Sequence, residues 1–165
     1  MRVDPRTAER LLAVTRQVGV ALDRLLAYLE AADQLLRSGS GRIGPALVGG
    51  IDSASDALHA ADRERAGVAA KVALTHGAEA ATLADLADDD TPWGGDARSL
   101  RVRLDRKLTE IDHVTARLRQ HSGRRLAVAG SRSEVTHART LVRDALHQSL
   151  DELVPDELRS WLAAN

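Results

Sequence analysis

The chain has 165 residues, 23 basic and 24 acidic side chains, and a formal net charge of −1. That is enough chain for one domain with a single core, and the balanced charge gives no general attraction to nucleic acid. Cysteine and phenylalanine are absent, and Tyr28, Trp93 and Trp161 are the only aromatics; disulfides and thiolate metal sites are excluded, and the core must be built from Leu, Val and Ala.

Asp4 followed by Pro5 predicts an N-cap with proline at the first helical position. From there Leu11, Val14, Val18, Leu22, Leu25, Leu29, Ala32 and Leu36 step by three and four, a single apolar stripe on a helix over 5–37. The basic residue Arg37 and the run Ser38-Gly39-Ser40-Gly41 predict its end. Pro45 opens a second helical segment over 45–77. Gly49-Gly50 predicts a short turn inside it, with the helix proper starting between Ile51 and Ser53. Its stripe is Ile51, Ala54, Leu58, Ala61, Val68 and Val72, ending at Thr75-His76-Gly77.

A short helix and a linker are expected over 78–95. Thr82-Leu83-Ala84-Asp85 has capping-box form, and Asp88-Asp89-Asp90-Thr91-Pro92-Trp93-Gly94-Gly95 has linker composition, so Asp85 to Gly95 is expected to be mobile. The longest helical pattern runs over 96–129. Leu100, Leu104, Leu108, Ile111, Val114 and Leu118 share one stripe, while Arg101, Arg103, Asp105, Arg106, Lys107, Glu110, Asp112 and Arg117 fall mostly on the other side. At about 1.5 Å per residue this is a rod near 50 Å long, which buries its stripe only against other rods. After a break at Ala129-Gly130-Ser131, an amphipathic segment over 132–165 carries Val135, Ala138, Leu141, Val142, Leu146, Leu150 and Leu153. Pro155 interrupts it, and a last turn follows with Leu158, Trp161 and Leu162.

The fold class predicted is all-α. It is an elongated antiparallel, coiled-coil-like bundle of three long helices and a C-terminal amphipathic helix, forming a single helical domain. No apolar run reaches the roughly 20 residues of a membrane span, and Met1-Arg2-Val3-Asp4 does not begin a signal peptide. A cytoplasmic protein, monomeric or homodimeric, is expected.

Little in the sequence carries chemistry. Glu110-Ile111-Asp112-His113 and Glu134-Val135-Thr136-His137 are two Glu-x-x-His motifs of the kind that di-iron carboxylate bundles use with a further Glu from each of two other helices. Here Ile111, Val114, Val135 and Ala138 hold the apolar stripe, which turns the motif residues beside it or towards water. The other histidines, His59, His76, His121 and His147, form no ligand spacing. The glycines at Gly39, Gly41 and Gly44 lack the Lys-Ser/Thr of a phosphate loop. The arginines from Arg98 to Arg125 are offset by acids and have no interleaved aromatics for base stacking. No catalytic residue, cofactor, metal or nucleic-acid partner is predicted.

The wide apolar face of Val135, Ala138, Leu141, Val142, Leu146, Leu150 and Leu153 admits two readings. The segment folds back as a fourth helix, or it offers a docking surface for a partner helix.

The succession of breaks and helices resembles the FlgN-type flagellar export chaperones. The likeness is carried by Leu22-Asp23-Arg24-Leu25-Leu26-Ala27-Tyr28-Leu29-Glu30, by Leu58 through Gly77, and by Leu108 through Val135. It spans about Leu11 to Leu146 as a pattern of helix lengths. It departs from the family at Gln120-His121-Ser122-Gly123-Arg124-Arg125-Leu126, where the spaced asparagines are missing. The resemblance implies a type III secretion chaperone that binds amphipathic C-terminal helices of hook–filament junction proteins (FlgK and FlgL in the family) before export. It also implies contact with the export apparatus, with Trp161 standing in for the family's C-terminal tyrosine. Two other classes remain open: a bundle metalloprotein using the two Glu-x-x-His motifs, and an adaptor that dimerises through the Leu11-to-Leu36 stripe.

Overall fold

A computed structural model describes residues 4–38, 43–76, 82–87, 91–128, 150 and 152–163. Five helices are found among them, and no strand: α1 Pro5–Arg37, α2 Pro45–His76, α3 Leu83–Leu86, α4 Gly94–Val128 and α5 Asp156–Ala163. The protein is an all-α bundle with three long helices. None of the described helices is long and apolar enough to cross a membrane.

The central element is α1. Its backbone approaches both α2 and α4 closely, and its stripe from Leu11 to Ala32 is buried, with Leu36 half-buried at the upper end. The N-cap forms as expected: the Asp4 carboxylate accepts from Thr7 N–H at 3.1 Å, leaving Pro5 where no backbone donor is needed. The stripe predicted to be available for a second copy is filled within the chain. Leu11, Val18, Leu22, Leu25, Leu29 and Ala32 are all 0% exposed, which leaves no apolar seam for a dimer through this face.

α2 turns back antiparallel and runs unbroken through Gly49-Gly50, where the sequence suggested a turn. The reason lies across the interface. A Cβ on Gly50 would come within 2.5 Å of Tyr28 Cε1, whereas one on Gly49 would meet nothing. Gly50 is therefore a contact residue that lets the phenol ring lie against the α2 backbone, and the surrounding helix absorbs the propensity cost. The rest of the stripe is buried as predicted at Ile51, Ala54, Leu58, Val68 and Val72.

α4 lies parallel to α1, with its six-residue stripe buried from Leu100 to Leu118. It starts two residues before Asp96, because the Trp93 carbonyl accepts from Ala97 N–H at 2.9 Å and Asp96 then sits in the first turn, where a negative charge is favourable. The capping box on α3 forms in both directions, Thr82 with Asp85. On either side of 88–90, which lie outside the described residues, the expected linker is packed: Leu86 is buried, Trp93 lies against the core, and Arg98 donates to the Ala87 carbonyl at 3.1 Å.

Lys107 departs from its expected place on the solvent side. It is 8% exposed, donates from Nζ to the Gly19 carbonyl at 3.1 Å, and pairs with Asp23. Its alkyl stem covers apolar surface while the ammonium reaches partners on α1. A charged residue beside a stripe reads as solvated until the neighbouring helix is in place.

Candidate functional site

The C-terminal stretch bridges α2 and α4. Leu150, Leu153, Val154, Leu158 and Leu162 belong to the same apolar cluster as the long helices. Leu158 and Leu162, four residues apart, share one face of the short helix; Val154 is buried in the bend before Pro155, whose carbonyl accepts from Leu158 and Arg159. The stretch runs alongside α2 in the same direction, since Leu153 meets Ser55 and Trp161 meets Arg65.

Polar contacts fix this position from both sides. Ser55 Oγ donates to the Leu153 carbonyl at 3.2 Å and His59 Nε2–H to the Glu152 carbonyl at 2.8 Å. Arg159 forms a two-pronged pair with Asp112 of α4, at 2.8 and 3.1 Å. The Arg65 guanidinium lies 4.2 Å from the centroid of the Trp161 ring, a cation–π stack. Beneath that ring, Arg65 Nε donates to Asp62 Oδ1 at 2.6 Å, and the two side chains are only 3% and 2% exposed. A buried pair satisfies itself at a desolvation cost and contributes little net stability; its effect here is to give the seat a polar floor. Beside it opens a shallow cleft of about 600 Å³, lined by Asp52, Asp56, His59, Arg63, Glu152 and Asp156.

A second polar cluster ties α1 to α4 near their upper ends. Asp33 is fully buried, and its Oδ2 accepts from Arg37 at 2.7 Å and from Arg117 at 3.0 Å. Oδ1 has no hydrogen-bond partner, with His121 Nε2 3.7 Å away. Both arginines face a cleft of about 610 Å³ that Glu30, Gln34 and Ser38 complete.

Of the apolar residues predicted for partner binding, Leu150 and Leu153 are 5% and 2% exposed and packed into the chain's own core. Val135, Ala138, Leu141, Val142 and Leu146 lie outside the described residues. Fold-back is thus observed for the end of the segment, including Leu158 and Leu162. Glu110 and His113 of the first Glu-x-x-His motif are exposed, and Glu110 pairs with Arg106 on the same helix at 3.5 Å. Glu134 and His137 lie outside the described residues, among which no group of three or more metal-capable side chains is found.

The Asp62–Arg65–Trp161 arrangement and the Asp33 cluster were not foreseen. An i, i+3 Asp-Arg pair on a helix is an ordinary surface pattern; the available signal was its position in the α2 stripe, in the gap between Ala61 and Val68.

The fold and the seat together define the class: an all-α bundle that holds a short amphipathic helix between two of its long helices. No protein-family model, curated protein or solved structure matches the chain.

Proposed function

We propose that the chain is a non-enzymatic chaperone of the FlgN type, acting in the cytoplasm to hold amphipathic C-terminal helices of hook–filament junction proteins before export, with the export apparatus as a further contact. The observation that supports this reading is the seat between α2 and α4, where an amphipathic helix is accommodated by apolar side chains and a ring of polar contacts. Helix-in-groove recognition likewise lays the apolar face of an amphipathic helix, with anchors at i, i+3, i+4 and i+7, into a hydrophobic groove. The apolar face of Val135, Ala138, Leu141, Val142 and Leu146 joins the proposed client contact on its sequence pattern.

The reading is tested by calorimetric titration of the chain with C-terminal segments of junction proteins and with an unrelated amphipathic helix. Saturable binding of the junction segments at a micromolar dissociation constant, about 8 kcal/mol, with none for the control, is the expected result. Equal binding of both, or of neither, overturns the export-chaperone assignment.

A further inference from the structure

We draw no further inference here: the strongest candidate, the cleft between the upper ends of α1 and α4 lined by Glu30, Gln34, Arg37, Ser38 and Arg117, carries nothing beyond the cluster already described, because its two guanidiniums already serve the chain's own buried Asp33 carboxylate and nothing in the structure points to a second anion there.

Discussion

Gly50 and the Tyr28 ring touch face to backbone, with no space for a methyl group between them: the nearest ring atom would be 2.5 Å from an added Cβ. Its neighbour Gly49 faces open space, so adjacent residues of one helix carry opposite constraints. Gly50→Ala gains up to about 1 kcal/mol of helix propensity, but an overpacked contact costs typically 1–3 kcal/mol. We expect a net loss of about 1 kcal/mol in urea unfolding. Gly49→Ala should stabilise by up to about 1 kcal/mol. Tyr28→Ala combined with Gly50→Ala should recover the propensity gain, a coupling that a double-mutant cycle resolves.

The Asp33 cluster predicts an asymmetry. Arg37 and Arg117 keep side chains 58% and 42% exposed, while the carboxylate they share is fully buried. Removing both guanidiniums strands a buried charge, and Arg37→Ala with Arg117→Ala should cost about 3–5 kcal/mol. Asp33→Ala leaves two arginines that water can solvate and should cost clearly less. Chemical denaturation of the two proteins at one pH and salt concentration compares them. Equal losses would mean that Asp33 is not desolvated as placed.

Thr115 is 6% exposed, and its Oγ1 has no hydrogen-bond partner. Thr115→Val keeps the branched shape and removes a buried hydroxyl, whose unsatisfied burial costs about 1–3 kcal/mol. The variant should be more stable by about 1 kcal/mol, seen as a higher midpoint in denaturant with unchanged slope. Thr15 is a control. Its hydroxyl donates to the Leu11 carbonyl at 2.6 Å, so Thr15→Val should bring no comparable gain.

Glu110 and His113 are exposed, so Glu110→Gln with His113→Ala should change stability by no more than about 0.5 kcal/mol. Metal analysis of the purified protein before and after the substitutions addresses the metalloprotein reading directly. Stoichiometric iron or manganese that the double substitution removes would favour that reading over the chaperone.

The all-α class, the three long helices and nearly every buried leucine were legible in the sequence, because apolar periodicity belongs to one helix at a time. Leu100 to Leu118 needed no knowledge of a neighbour to be read as a stripe. Lys107, Asp33 and the Asp62–Arg65 pair were not legible, because their burial is decided by a second element that a one-helix pattern does not contain. Gly50 was misread for the same reason: glycine is a helix breaker on propensity, and only the Tyr28 ring opposite gives it another meaning. The seat was half visible. Leu158, Trp161 and Leu162 were placed on an amphipathic turn, but nothing in their spacing names Arg65 or Asp112 as their partners.

Two ties between α1 and α4 share one arithmetic. Lys107 lies 84 residues beyond Asp23, and Arg117 lies 84 beyond Asp33. The ties stand about 15 Å apart along the axes. Leucine stripes tolerate slippage, since sliding one rod past another by a heptad lays aliphatic side chains on aliphatic side chains again. Here any such slide takes both α4 cations from their α1 carboxylates together and leaves the buried Asp33 with Arg37 of its own helix as its single guanidinium partner. Translational misalignment of these helices therefore has no half-correct stage. A one-residue insertion between Lys107 and Arg117 should be far more damaging than the same insertion beyond His121, because it breaks one of the two ties and turns part of the Leu100-to-Leu118 stripe away from α1 by about 100°.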